Sequence, residues 1–346
     1  MDGDTCEGGT EQGDGDAESV SVLWLTPDKP ENISVGRERI ARHLRAAGHD
    51  VRLRGTTART IARSLTERGQ YDVVLGTTRL GAIAGVGIAR AHGIPLCVDH
   101  IDPIRQFRET NGSWLATVVE RLENVAFRDA AHVLYVYPEE TARIEPRAAA
   151  TTKTDLGVDV SRFADPDPAV VERVRDRVRA RVETDNIAVY VGGLEPIYSI
   201  EPLLASAQHL DDWTLLLVGA GSLEPSVEAA AEEHENVVYP GMVPHEDVPG
   251  YLHTADVGVS LVDDPHTLKV LEYGAAGLPV VQATGRAESR FGGLVEYCRT
   301  EPEEIAAAIE RAGDSDSGGC LSEYVTGFDW GAIAADYCQA ITTVKY

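Results

Sequence analysis

Short apolar runs separated by stretches of helical spacing organise most of the chain. Ser21–Leu25 (SVLWL), Val51–Leu53, Tyr71–Leu75 (YDVVL), Ile94–Val98 (IPLCV) and Val133–Val136 read as strands. Between them, Val35–Ala47, through Ile40 and Leu44, and Ile83–His92 read as helices, with the first helix closed by Gly48-His49. A second series begins at Ile187–Val191 (IAVYV). It continues through a helix after Ile200, the strand Thr214–Val218 (TLLLV), a helix across Val227–Glu233, and strands at Val237–Tyr239, Val257–Leu261 and Pro279–Val281. Near-continuous apolar strands alternating with helices predict parallel sheets covered on both faces. The pattern therefore predicts an α/β protein of two doubly wound domains, joined near Gly157–Asp167, where Pro166 and Pro168 suit a linker. Phe328-Asp329-Trp330 and an amphipathic stretch to Ile341 predict a last helix.

Composition sharpens this picture. The 346 residues are enough for two cores, and a net charge of −25 with 43% hydrophobic residues describes a folded protein with a strongly acidic surface. The lysines are Lys29, Lys153, Lys269 and Lys345, and arginine supplies the remaining cations. Abundant carboxylates with scarce lysine predict a protein of high-salt surroundings, a halophilic source, where screening relieves surface repulsion. Residues 1–19 are mainly Gly, Asp, Glu, Thr and Ser and are expected to form a disordered acidic tail. Cys6, Cys97, Cys298, Cys320 and Cys338 show no C-x-x-C spacing and read as buried thiols of a reducing cytoplasm. No apolar run approaches the roughly 18–20 residues that span a bilayer, and no signal pattern opens the chain. The net charge and the lack of an aromatic-interleaved basic motif argue against nucleic acid.

The chemistry concentrates in Val262–Ala283, VDDPHTLKVLEYGAAGLPVVQA. A short helix carrying Lys269 and Glu272 is followed by Gly277-Leu278-Pro279 and a strand. Thr267, Leu268 and Lys269 lie where helix N–H groups can receive a diphosphate, and Glu272, one turn on and buried by its context, can accept ribose hydroxyls. Asp264 suits the same contact or the N-cap of a helix opening at Pro265. At the end of Ile94–Val98, Asp99 and His100 face outward from a strand's carboxyl end, the ligand side of open α/β sheets, and Asp102 suits a helix cap.

Read together, these segments resemble the group 1, family-4-type retaining glycosyltransferases of the GT-B fold, over nearly the whole chain after Val20. The family's two glutamates eight positions apart correspond to Asp264 and Glu272. Lys269 to Val281 resembles its Lys-x-x-Glu-Tyr-x-Ala-x-Gly-x-Pro-Val-Val wording. Gly48-His49-Asp50-Val51, Leu156-Gly157-Val158-Asp159 with Phe163, Val218-Gly219-Ala220-Gly221 and Tyr239-Pro240-Gly241 through Val257 resemble further segments in the family's order. The resemblance implies two Rossmann-like doubly wound domains facing an inter-domain cleft. Residues 20–160 would be the acceptor domain, 161–327 the nucleotide-sugar domain, and 328–346 a helix returning to the first. It also implies metal-independent transfer, with retention, from a nucleotide diphosphate sugar, UDP- or GDP-linked, to a saccharide or lipid-linked saccharide. Gly192, Gly193, Gly219, Asp264, Thr267, Leu268, Lys269 and Glu272 then fall on the donor side. Gly36 and Arg37, in the loop after the first strand, and Asp99, His100 and Asp102 fall on the acceptor side, with His100, Lys269 and Glu272 as catalytic candidates.

The chain departs from that pattern after Val191. Where the family has Gly-Arg-Leu and a lysine four or five residues on, Gly193 and Tyr198 stand. Lys269 is the cation at hand to meet the charge of a departing diphosphate, and the scarcity of lysine favours that role over a merely solvated helix lysine. A non-catalytic partner subunit of the same fold, favoured by the missing cations, and a nucleotide-sugar epimerase remain open as alternatives. From Arg37 to Arg68 nine arginines stand against Glu38, Asp50 and Glu67. Such a surface could meet anionic lipid at the cytoplasmic face of a membrane or pair with the protein's own carboxylates.

Overall fold

The computed structural model describes residues 19–27, 32–182, 184–315 and 317–345, so the expected tail lies outside the described residues apart from Ser19. Contacts divide the chain into two compact units, one running to Thr152 and taking in the chain from Tyr337, the other Lys153–Asp336. In the first, the order is β1 (Ser21–Thr26), α1 (Asn32–Ala46), β2 (Asp50–Gly55), α2 (Ala58–Thr66), β3 (Val73–Thr77), α3 (Thr78–His92), β4 (Leu96–His100), α4 (Ile104–Asn111), α5 (Ser113–Asp129), β5 (His132–Tyr135), α6 (Thr141–Ile144) and β6 (Thr151–Lys153). The second holds α7 (Val160–Ala164), α8 (Pro168–Arg179), β7 (Asn186–Val191), α9 (Ile200–Ala205), β8 (Trp213–Val218), α10 (Glu224–Glu233), β9 (Val237–Gly241), α11 (Val248–Leu252), β10 (Val257–Ser260), α12 (Leu268–Ala275), β11 (Val280–Ala283), α13 (Glu288–Phe291), β12 (Glu296–Cys298), α14 (Pro302–Gly313), α15 (Ser317–Val325) and α16 (Trp330–Lys345), whose end passes into the first unit.

The first sheet has the order β2-β1-β3-β4-β5-β6 and the second β12-β11-β10-β7-β8-β9. Pairing is parallel from β2 to β5 and throughout the second sheet. Alternation along the strands decides which core each residue joins. Ile187, Val189, Leu216, Val218 and Val280 enter one cluster, and Ala188, Tyr190, Leu215, Leu217 and Val281 enter the cluster on the opposite face. Both faces are thus covered, which is why these strands read as unbroken apolar runs. In each sheet the strand order reverses once, between β1 and β3 and between β10 and β7. Ligand crevices of open α/β sheets form at such reversals, outside the carboxyl ends of the strands.

Several expected boundaries move for physical reasons. β3 and β4 run on to Thr77 and to Asp99-His100, polar residues that are nonetheless buried because they bond to one another or to neighbours. Gly36 and Arg37 belong to α1 and not to a loop. They lie one turn before Ile40 on the inward face, which continues with a polar residue that a count of apolar positions passes over. Pro168 is no linker residue, since it opens α8 at a position tolerant of proline, and the Asp167 carboxylate accepts from Ala169 N–H. Gly157 is needed because the Trp330 ring occupies the place its Cβ would take, where Val158 N–H donates to Phe328 O at 2.8 Å. Cys97 and Cys298 are buried thiols as expected, but Cys320 is exposed and Cys338 partly so.

Candidate functional site

The chemistry of the second unit gathers at the ends of β7, β8 and β10. Gly192 leaves β7 at φ +151° and Gly219 leaves β8 at φ +147°, a region that favours glycine. A Cβ on Gly219 would collide with the carbonyl of Gly192, so the two turns pack backbone against backbone. Gly192 N–H donates to Val218 O at 2.9 Å, Leu194 N–H to Ala220 O at 2.9 Å, and the Tyr190 hydroxyl to Gly193 O at 2.6 Å. A short turn, Pro196–Tyr198, then carries the Tyr198 ring back against Gly193, and Ser199 reverses the chain at φ +53°.

Into this frame α12 inserts Lys269. Its ammonium lies 3.9 Å from the centre of the Tyr198 ring and 5.3 Å from that of Tyr190. Its Cε sits 2.5 Å from where a Gly192 Cβ would stand. Partial burial lowers the Lys269 pKa to about 8, against the pull of Glu272 in the other direction. Tyr273, one residue past Glu272, accepts from Val191 N–H at 2.8 Å and ties α12 to β7. Thr267, at the N-cap of α12, forms no side-chain cap, so the first-turn N–H groups of α12 have no capping hydroxyl. The structure therefore brings together Gly192, Gly193, Gly219, Thr267, Leu268 and Lys269. Glu272 follows one turn along, half-buried where its apolar neighbours implied burial, because α12 turns that edge of its surface outward.

Asp264 differs from its expected cap role. The helix opens at Leu268, not Pro265, and the Asp264 carboxylate instead accepts from His266 N–H at 2.9 Å within the preceding loop. That loop is pinned by residues the sequence did not single out. His266 is 6% exposed, with its Nδ1 3.3 Å from Asp155 Oδ1 and 2.9 Å from Arg290 Nη1. Arg290 also donates to Pro265 O at 2.6 Å and lies 3.1 Å from Asp155. Asp155 adjoins the Leu156-Gly157-Val158-Asp159 motif, so reading that motif one residue earlier would have found it. Nothing in the pattern marked Arg290.

In the first unit the acceptor-side candidates are turned inward. Arg37 is 3% exposed and pairs bidentately with the fully buried Asp99, at 2.7 and 2.8 Å. Asp99 also accepts from Thr77 at 2.7 Å and from Tyr337 at 2.8 Å, and Trp24 Nε1–H donates to Thr77 Oγ1 at 2.7 Å. Buried charges persist only when paired and hydrogen-bonded, and this pair meets both conditions. Arg37 and Asp99 are thereby committed to each other and to Tyr337, in place of the expected ligand contact. His100 is 2% exposed, edge-on to Phe127 and 3.1 Å from Glu140. Burial pushes the Glu140 carboxyl up, but the His100 hydrogen bond, the charges of His100 and Arg143, and Ile104 N–H hold it at about 2. Asp102 is not a cap. α4 opens after Pro103, its Ile104 N–H donates to Glu140 at 3.0 Å, and Asp102 accepts from Arg79 at 3.5 Å.

The arginine-rich stretch is largely spent on the protein itself. Arg45 pairs with Glu38, Arg52 with Asp50, and Arg54 and Arg63 with Glu67, while Arg68 donates to Ala91 O. This is the self-pairing account for most of that stretch, while Arg42 and Arg59 stay exposed without an ion pair among the described residues. Among the described residues no helix is long and apolar enough to cross a membrane.

Two doubly wound parallel units, with glycine turns and a helix start at a strand-order reversal, define the class of a GT-B protein. Residues 185–314, within the second unit, match the family described as Glycosyl transferases group 1. Among curated proteins, TuaH of Bacillus subtilis (strain 168), whose name assigns it to teichuronic acid biosynthesis as a glycosyltransferase, is 29% identical over 134 residues. That match covers 35% of this chain and 33% of the length of that relative. Anabaena Alr3699/HepE in complex with UDP superposes with a TM-score of 0.74 at 16% identity, covering 94% of this chain and 100% of that one. Sucrose-phosphate synthase from Thermosynechococcus elongatus superposes at 0.70 and 17% identity, covering 92% and 98%. Likenesses at that level of identity establish the GT-B fold.

Proposed function

We propose that the chain is a glycosyltransferase that moves a sugar from a nucleotide diphosphate donor, UDP- or GDP-linked, to a saccharide or lipid-linked saccharide acceptor with retention of configuration. The observation that carries this reading is the Lys269 ammonium, held over Tyr198 beside the Gly192-Gly193 turn and the start of α12. A helix start and an ammonium together form a site for a diphosphate, and their field grows in value as the leaving diphosphate gains charge. Lys269 arrives from α12 at the turn where the family resemblance calls for a cation on the turn itself. Glu272, one turn along, is the carboxylate for ribose or sugar hydroxyls, with Asp264 shaping the loop that leads to the helix. His100, bonded to Glu140, is assigned a positioning role in the first unit in place of a catalytic one.

The test is a thermal-stability titration in molar potassium chloride with UDP, GDP and their sugar conjugates, repeated on Lys269→Ala and Glu272→Ala. The HepE complex makes UDP the first nucleotide to try. Saturable stabilisation by one nucleotide that weakens in both variants supports the donor site and opens an acceptor screen, in which the anomeric configuration of the product is read by NMR. Gly193 and Tyr198, in place of the two expected cations, favour one other reading, a partner subunit that binds donor without turnover. Absence of any nucleotide effect overturns the donor site, and isomerisation of the free sugar nucleotide would instead make the chain an epimerase.

A further inference from the structure

Helix α5 exposes an apolar stripe that no described residue of the first unit covers. Trp114 is 74% exposed, Val118 42%, Leu122 45% and Val125 39%. At ~100° per residue these four side chains fall within a sector of about 80° on one face of the helix. The opposite face is the packed one, where Ala116, Glu123 and Phe127 are buried. Soluble surfaces scatter single apolar residues, but a contiguous stripe three turns long marks a surface that meets something apolar.

Charge says what that partner is. Arg121 and Arg128 project along the flank of the stripe, exposed and without an ion-pair partner among the described residues. The carboxylate nearest the helix end on this side, Asp129, is neutralised by Arg90 through two bonds of 2.5 and 2.7 Å. In a chain of net charge −25 this is a face left cationic, beside exposed apolar groups and with a tryptophan at one end. Apolar stripe, flanking arginine and interfacial tryptophan are what a helix lying in the headgroup region of an anionic bilayer requires.

We propose that α5 is a membrane-docking surface, laying Trp114, Val118, Leu122 and Val125 into the outer part of an anionic lipid leaflet with Arg121 and Arg128 at the headgroups. It is a different surface from the paired arginines between Arg37 and Arg68. The inference stands apart from the donor site and would bring a lipid-linked acceptor within reach of the same molecule.

Co-sedimentation of the full chain with phosphatidylcholine vesicles containing about a third phosphatidylglycerol, against phosphatidylcholine alone, tests it. Binding is expected to favour the anionic vesicles and to fall at least about tenfold in the Trp114→Ser, Leu122→Ser double variant. Arg121→Gln with Arg128→Gln is expected to remove the preference for anionic lipid. Brominated acyl chains should quench wild-type tryptophan emission clearly more than that of Trp114→Phe, because Trp24 and Trp213 are buried and Trp330 is half-buried with its ring against Gly157. All the substituted side chains are exposed, so unchanged thermal unfolding of the variants separates lost docking from lost folding. The proposal is overturned if the vesicles leave the protein in solution, or if the double variant still binds. A wild-type dimer in light scattering that the double variant abolishes, without vesicle binding, would assign the stripe to a second copy of the chain.

Discussion

Under the proposed function, Lys269 alone takes the place of the two cations that the family resemblance calls for after β7. Its ammonium lies against aromatic faces, an interaction of about 0.5–2 kcal/mol, with Glu272 one turn along adding a weaker attraction. Lys269→Ala is expected to weaken nucleoside diphosphate binding by about tenfold to a hundredfold in calorimetric titration, the range of a lost charge-assisted hydrogen bond. Tyr198→Leu should weaken it by a few-fold through loss of the ring, with Tyr198→Phe restoring it. Because burial lowers the Lys269 pKa to about 8, the free site loses its cation as pH rises through that value, so affinity should fall between pH 7 and 9 in wild type and stay flat in Lys269→Ala. Protein stability moves the opposite way. The unfolded lysine binds its proton more tightly, so ligand-free stability rises from about pH 8 up to the ordinary lysine pKa.

At the scale of elements, the glycine turns and buried pairs decide where each loop can go. Gly192 and Gly219 have nearly the same φ but different neighbours, and their alanine variants should fail differently. In Gly219→Ala the new Cβ meets a backbone carbonyl, which cannot yield, so a loss of several kcal/mol and poor folding are expected in denaturant titration. In Gly192→Ala it meets the flexible end of Lys269, 2.5 Å away, so nucleotide binding should suffer more than the fold. In the first unit, Arg37→Met would leave Asp99 buried without its cation, at an expected cost of about 3–5 kcal/mol, read as an earlier unfolding transition in urea. Glu140, held at about 2, contributes stability that is complete above the ordinary carboxyl pKa and is lost as pH falls through about 2.

For the whole molecule, the charge of −25 acts on both units at once. Self-repulsion of that size is screened within a few ångströms in molar salt, so the unfolding temperature should rise as potassium chloride increases from low to molar concentration. Scanning calorimetry over a salt series reads this directly, and a flat response would remove the argument for a salt-adapted surface. Vesicle docking through α5 should be less salt-sensitive than a purely basic patch would be, since four apolar side chains carry most of it.

The sequence by itself determined the architecture, because strands buried on both faces must be apolar almost throughout and the helices between them must show one apolar stripe. It also put Lys269 and Glu272 on one short helix, while the resemblance to a known family grouped the glycines after β7 and β8 with them, and the structure sets Lys269 against Gly192. Tertiary structure decided the rest. Strand ends at Thr77, Asp99 and His100 were invisible to an apolar count because hydrogen bonds from distant elements make polar residues fit for burial. The pairing of Arg37 with Asp99 and Tyr337, and of His266 with Asp155 and Arg290, joins residues up to 300 positions apart, and no spacing rule reports such a contact. The stripe on α5 was equally hidden, since an apolar residue on a helix reads as core until the packed structure shows that its neighbours lie on the other face.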